Sequence, residues 1–365
     1  MEDEGRLETD MHNPPDTVLE APLPPDWPEP EALGFGHYLA PWLVHAGHGV
    51  DTGWGTPTVN PRSATPLAVA TGALQYGLSV FEGLKAYRAP DDGVHLFRPR
   101  DHARRLQASA RRLGMPEPSE ELFMTLCQLA VQVHARYLPP HGRGSLYLRP
   151  TLYAEEEALG LRPATRHRLA VVVTPCSDPP PKTLRLWAEP ELIRAAPGGL
   201  GAAKTGANYA AGLGGLLRAK ELGYDDVVWC DARTHTQLGE AGTMNVFVQI
   251  GEELLTPPLD GTILAGITRD SLLRLMRAEG IVVSEQTISL DDLAHAQMAG
   301  QLGTAFGVGT AARLARITEI SDGARRLVFP DTGLAARLGT ALKQVQEGTT
   351  HALREWRVAV PGLGN

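Results

Sequence analysis

Four prolines fall within the eight residues Pro175-Cys176-Ser177-Asp178-Pro179-Pro180-Pro181-Lys182. Proline fixes φ and carries no backbone N–H, so a run this dense continues neither a helix nor a sheet. A chain of 365 residues is too long for one small core, and a linker at 176–182 is where it should divide. The expectation is two units, 31–175 and 183–365, preceded by an extended or disordered arm at 1–30 that is rich in proline and poor in apolar residues.

Within the first unit, Val94-His95-Leu96-Phe97 reads as a strand, and 145–152 alternates apolar and polar residues as a half-buried strand does. The β-branched run at 169–173 reads as a buried strand, and 101–113 and 120–138 read as helices. In the second unit strands are expected at 183–188, 226–230, 244–250, 254–256 and 281–287, with helices at 208–222, 267–279, 290–299 and 334–357. This irregular mixture indicates an α+β fold, not a regular βαβ alternation.

Hydrophobic residues make up 43% of the chain and charged residues 21%, which places it among globular proteins. A net charge of −8 argues against nucleic acid as a partner, because phosphate backbones call for a basic face. No apolar run is long enough to cross a bilayer, and the acidic start Met1-Glu2-Asp3-Glu4 is unlike a signal peptide. Cys127, Cys176 and Cys230 are few and far apart, which points to a reducing, cytoplasmic compartment and to no zinc site.

Chemistry concentrates in Gly198-Gly199-Leu200-Gly201-Ala202-Ala203-Lys204-Thr205-Gly206-Ala207-Asn208-Tyr209, where one lysine stands among small residues that let a flat ligand approach the backbone. A buried lysine there suits Schiff-base chemistry. A solvated surface lysine is the plainer reading. A phosphate-binding loop is a second rival, but Ala203 stands where its second glycine belongs. A pyridoxal phosphate lysine requires further parts. Glu240, just before the apolar strand at 244–250, offers a carboxylate for a pyridine nitrogen. Gly266-Ile267-Thr268-Arg269 opens a helix whose free N–H groups suit a phosphate, and 303–312 offers a turn with a hydroxyl and exposed amides. Arg104 or Arg105 lies within reach of the same role.

These pieces agree in order and spacing with a known family. The runs Gln75-Tyr76-Gly77-Leu78-Ser79-Val80-Phe81-Glu82-Gly83-Leu84-Lys85-Ala86-Tyr87, Leu96-Phe97-Arg98-Pro99, Leu146-Tyr147-Leu148-Arg149-Pro150, the lysine loop, the segment from Glu240 to Phe247, Gly266 to Arg269 and Gly307 to Ala311 resemble the branched-chain aminotransferases of the class IV (fold type IV) pyridoxal phosphate enzymes. The resemblance implies a smaller α/β domain, a larger pseudobarrel domain, and a homodimer that shares pocket residues across its interface. It implies that Lys204 is the catalytic, cofactor-bearing residue, that Tyr209 meets the ring hydroxyl and that Glu240 meets the pyridine nitrogen. Arg105, Ile267, Thr268 and Thr310 would bind the phosphate. Thr243 and Ala311 would take the substrate carboxylate; Tyr76, Phe81 and Tyr147 would line the side-chain pocket; and Arg149 would meet the distal carboxylate of glutamate. The implied reaction is ping-pong transamination between leucine, isoleucine or valine and 2-oxoglutarate.

The chain departs from the family pattern in two places. Leu39 is expected where a pocket phenylalanine is usual, and Cys176-Ser177 where an aromatic is usual, so the preferred substrate is left open. A D-amino acid aminotransferase or an aminodeoxychorismate lyase would keep the same lysine and glutamate, while the Phe81-Glu82-Gly83-Leu84-Lys85 run and the chain length favour the branched-chain type. Outside the family stand a P-loop nucleotide hydrolase and a catalytically inactive small-molecule binder.

Overall fold

The computed structural model describes Leu23, residues 26–178 and residues 182–363. Most of the arm expected at 1–30, and residues 179–181 of the expected linker, lie outside the described residues. Eight strands come first: β1 (Trp42–Gly49), β2 (Gly53–Trp54), β3 (Thr58–Pro61), β4 (Ser79–Phe81), β5 (Leu84–Arg88), β6 (Val94–Phe97), β7 (Gly144–Ala154) and β8 (Arg166–Ser177). Helices α1 (Gly72–Tyr76), α2 (Pro99–Arg112) and α3 (Glu120–Val133) interrupt them. The second part holds β9 (Lys182–Ala188), α4 (Gly206–Glu221), β10 (Asp226–Cys230), β11 (Leu238–Ala241), β12 (Met244–Ile250) and β13 (Glu253–Thr256). It continues through α5 (Ile267–Ala278), β14 (Val283–Glu285), α6 (Leu290–Met298), β15 (Leu302–Gly309), β16 (Arg313–Ser321), β17 (Arg326–Val328) and α7 (Leu334–Glu347). A last short strand, β18 (Arg357–Ala359), returns to the first sheet beside β6.

The first sheet is open and antiparallel, in the order β18-β6-β5-β7-β8-β1-β2, with β3 beside β1 and β4 beside β7. One face is covered by α2 and α3. Leu106 and Ala110 of α2, and Phe123, Leu126, Cys127 and Ala130 of α3, recur at helical spacing and bury against Leu146, Leu148 and Leu152 of β7. Ser119 caps α3 by accepting from Leu122 N at 3.1 Å, which starts that helix where the apolar periodicity starts. Strand alternation turns Tyr147 and Arg149 to the opposite face of β7.

The second sheet closes on itself. Strands β11-β10-β9-β16-β15-β12 follow one another, and a further pairing of β11 with β12 completes a six-stranded ring. Its interior is filled by Leu186, Val228, Val246, Ala305 and Ile317, all buried. The fold is therefore a mixed α+β architecture with one open sheet and one closed barrel.

Three expectations on elements are corrected. β8 runs on through Pro175 to Ser177, because Pro175 is on the flank where Val173 O and Ser177 N bond the Ala40 and Gly34 backbones and not another strand, so its missing N–H breaks no ladder. The helix expected to reach 357 stops at Glu347, where Gly348 turns left-handed at φ 78. The turn expected over 303–312 is mostly strand β15, and only 310–312 forms the hairpin loop.

Candidate active site

Lys204 stands between the two sheets and is fastened to the first on both sides of its backbone. Its N–H donates to Ser109 Oγ on α2 at 2.9 Å, and its carbonyl accepts from Phe81 N at the end of β4 at 2.9 Å. Its Nζ donates to the Tyr209 hydroxyl at 2.8 Å. Tyr209 is on the first turn of α4, five residues on, so the helix start fixes the pair. Burial, and then the Arg105 charge, lower the Lys204 amine from its ordinary 10.5 to about 7. Burial and the nearby Glu240 push the Tyr209 phenol up to about 12.

Glu240 is buried in β11 and is no turn residue in water. Its Oε2 pairs with an Arg194 Nη2 at 2.6 Å, and its Oε1 accepts from Asn245 Nδ2 at 3.2 Å and Leu264 N at 3.3 Å. Burial raises its carboxyl above the usual value, with Arg194 opposing.

Around these groups is a cavity of about 560 Å³. Arg105, Ile267, Thr268, Thr310, Thr243 and Ala311 all line it, as do Phe81, Tyr147 and Arg149. Gly266 caps α5, and no side chain caps that helix. The N–H groups of Ile267 and Thr268 have no partner among the described residues, and they face the cavity with the positive end of the helix dipole. A Cβ on Gly266 would lie 1.9 Å from Asn245 Oδ1, so only glycine fits beside the Asn245–Glu240 contact.

Arg105 is held by a carboxylate that the residue patterns did not single out. Its Nε and Nη2 donate to Glu82 Oε1 and Oε2 at 2.7 and 2.8 Å, and its Nη1 to Ala265 O at 3.0 Å. Two of its five N–H groups remain. Burial pushes the Glu82 carboxyl up, but the charges of Arg105 and His102 outweigh it and hold the group well below the usual range. His102 Nδ1 is 2.6 Å from Glu82 Oε2.

Phe81 pairs with Thr151 across β4 and β7, which puts it on the same face as Tyr147 and Arg149. Arg149 Cζ is 4.6 Å from the centre of the Phe81 ring, and an Nη2 donates to the Tyr147 hydroxyl at 2.8 Å. Arg149 Nε is buried and has no partner among the described residues. Tyr76 does not reach this cavity: it is exposed, and its hydroxyl accepts from Gly160 N at 2.8 Å. Leu39 is likewise exposed and away from the cavity. Besides Phe81, Phe35 lines it, edge-on to Tyr147 at 4.8 Å between ring centres. Gly34 and Gly36 on either side of Phe35 are both left-handed, which sets the direction of its ring. Cys176 is buried in β8 opposite Ser145, not at the cavity.

A second, more apolar chamber of about 330 Å³ shares Lys204, Tyr209 and Glu240 with the first and is walled by Trp229 and α4. The phosphate-loop reading finds no support here. Thr205 Oγ1 donates to Ser79 O at 2.8 Å, and the carbonyls of Gly198 and Gly199 accept from Arg112. Among the described residues no cluster of three or more His, Cys, Asp or Glu is placed to hold a metal.

Residues 79–314 match the family described as amino-transferase class IV. Branched-chain-amino-acid transaminase 1 of Bacillus subtilis is 36% identical to this chain over 340 residues, 91% of this chain and 96% of that protein. A branched-chain-amino-acid aminotransferase of Mycolicibacterium smegmatis is 38% identical over 88% of this chain and 91% of its own length. Among solved structures, the branched-chain amino acid aminotransferase of Escherichia coli superposes with a TM-score of 0.70 at 26% identity, covering 87% of this chain and 99% of that one. The T.th. branched-chain amino acid aminotransferase complexed with N-(5'-phosphopyridoxyl)-L-glutamate shares the fold, with a TM-score of 0.69 at 23% identity over 87% of this chain and 98% of that one.

Proposed function

Because the chain belongs to the class IV aminotransferase family, we propose that it moves the amino group of leucine, isoleucine or valine to 2-oxoglutarate in two ping-pong half-reactions, with pyridoxal 5'-phosphate as cofactor. One observation carries the reading: an amine lowered to about 7, hydrogen-bonded to a phenol and sharing its cavity with a buried carboxylate.

The donor set fits the cofactor. Lys204 would carry it, Tyr209 would meet its ring hydroxyl and Glu240 its ring nitrogen. The two remaining N–H groups of Arg105, the free N–H groups of Ile267 and Thr268, and the Thr310 hydroxyl would hold its phosphate. When bound, the cofactor supplies a carbonyl for amines and an electron-withdrawing ring. The Glu240 carboxylate, oriented by Arg194 and Asn245, would keep a proton on a ring nitrogen. Lys204 Nζ, substantially uncharged near pH 7, is the base that takes the proton from the substrate Cα and returns one. Thr243 and the Ala311 N–H are the seats for the substrate carboxylate. The Phe81, Phe35 and Tyr147 rings give an apolar side chain a dry wall. Arg149 stays stacked on Phe81 while that side chain is apolar and pairs with a carboxylate when glutamate occupies the same space.

A homodimer completes the proposal. Leu67, Val69, Leu74, Leu159 and Leu161 are all exposed, and they are brought together by the Thr71–Glu157 bridge and the Ala158 N to Ala70 O hydrogen bond. An apolar patch of this kind favours a partner. A second copy there would give Tyr76 a pocket to line that its own protomer does not offer. A cytoplasmic location is supported by three free, buried cysteines. No helix of the described residues is long and apolar enough to cross a membrane.

The test separates the two half-reactions on the holoenzyme. Lys204→Ala should abolish both release of the 2-oxo acid from leucine and formation of glutamate from 2-oxoglutarate. Arg149→Ala should slow the second by about 10–100-fold, the weight of one charge-assisted contact, and largely spare the first. Equal losses in both halves would remove Arg149 from the assignment, and no turnover of leucine by the wild type would remove the branched-chain reading.

A further inference from the structure

The hairpin loop that lines the cavity with Thr310, Ala311 and Ala312 closes at Arg313, whose φ is 58. Gly309 and Arg313 pair across β15 and β16, so Arg313 takes the left-handed closing position of a three-residue hairpin, where glycine or asparagine is the easy choice. An arginine in a disfavoured conformation invites the question of what its side chain does.

Its guanidinium points away from the cavity and ties the hairpin to two other elements. Nη1 meets Asp178 Oδ1 at 2.7 Å, and Nε donates to Gln346 Oε1 at 3.0 Å. The Arg313 and Asp178 side chains are each only 16% exposed. Asp178 directly follows β8 and so belongs to the open sheet, while Gln346 belongs to α7. Lys343, also on α7, holds the other Asp178 oxygen. Lys85 of β5 and Glu347 of α7 complete the charged groups around this junction. The cavity loop of the barrel is thus tied to the far sheet by the Arg313–Asp178 ion pair and by a hydrogen bond between Arg313 and Tyr87 of β5.

We infer that Arg313 is a positioning residue: through Asp178 and Gln346 it holds Thr310 and Ala311 at the spacing that the anionic groups of cofactor and substrate require. The inference rests on the proposed function for the identity of those anions. It does not need Arg313 to touch either of them.

Arg313→Gly is the clean test, because glycine accepts the left-handed position and only the tether is lost. In the holoenzyme, KM for both leucine and 2-oxoglutarate should rise about tenfold, as a small misplacement of a binding loop does, with kcat changed less. Cofactor should leave faster on exhaustive dialysis, read by loss of its absorbance, while the melting temperature stays near that of the wild type. Asp178→Asn should give the same pattern in weaker form, and the double variant should add little to Arg313→Gly, since Asp178 acts on the loop through Arg313. Arg313→Asn, which also tolerates the left-handed region, is the fallback if Arg313→Gly expresses poorly. Unchanged KM and unchanged cofactor retention overturn the inference. So does a lowered melting temperature with KM and retention intact, which would make the tether merely structural. Cofactor retention reads out even if the wild type turns over none of these substrates, so failure of the proposed reaction and failure of the tether are distinguishable.

Discussion

Glu82 has no exposed surface, yet it remains ionised, because Arg105, His102 and the Gly83 N–H surround it. Its folded pKa lies below the ordinary 4.5, so its contribution to stability is present in full above about pH 4.5 and is lost as pH falls below it. Glu82→Gln should strand the Arg105 charge and cost about 3–5 kcal/mol at pH 7 by urea unfolding. That gap should narrow as pH falls below about 4.5, because the unfolded carboxyl then takes up a proton that the folded one does not. A gap that does not change with pH would mean that the carboxylate does not stabilise through its charge. The contrast between Glu82 and Lys204 shows what can be read at this scale. Lys204 and Glu240 stand in runs of small or apolar neighbours and are legible as candidates, while Tyr209 follows from the family resemblance. Glu82, Ser109 and Phe35 work only through contacts between distant segments, and no local pattern marks such residues. Leu39 was named in place of Phe35 because side-chain direction near Gly34 and Gly36 depends on backbone angles that spacing along the chain does not reveal.

At the scale of elements, the start of α5 is the place where geometry leaves least room. Gly266→Ala would set a methyl group against Asn245 Oδ1 and push Asn245 off Glu240. The expected cost is about 1–3 kcal/mol, the usual range for overpacking, seen as a lower melting temperature together with weaker cofactor retention. A variant that melts lower but keeps its cofactor would separate the helix start from the ligand. Strands bounded by strong apolar runs, such as β10 and β12, were readable in advance. β15 was not, because Gly-Thr-Ala-Phe-Gly-Val-Gly reads as turn chemistry. It is a strand because the barrel interior covers one of its faces and helices α5 and α7 cover the other, and at Gly307 Met244 fills the space that a side chain would need. The end of α7 has a local marker in Gly348, whose left-handed conformation stops the helix short of 357.

For the whole molecule, proline spacing and length lead to an expectation of two units, 31–175 and 183–365, while the mixed fold with a barrel follows from the family resemblance; residues 357–359 of the second unit pair with β6 in the first sheet. How the parts meet does not follow from either, because the cavity is lined by side chains of both sheets that lie far apart along the chain. Leu161→Asp should put a charge into the proposed dimer contact and weaken association at least about tenfold, measured by sedimentation velocity. Activity should fall in step with the dimer population, because Tyr76 would then line no pocket. A variant that remains dimeric, or a monomer that is fully active, would move the interface elsewhere.

The placement of β18 has a temporal consequence. It pairs with β6 in the open sheet, although everything from β9 to α7 intervenes. A nascent chain can fold its leading sheet early in synthesis, but that sheet waits one strand short, with the rim of β6 bare, until residues 357–359 emerge. Maturation of the first part is therefore slaved to translation of the last, and a ribosome that stalls late would release a nearly finished protein with a sticky border.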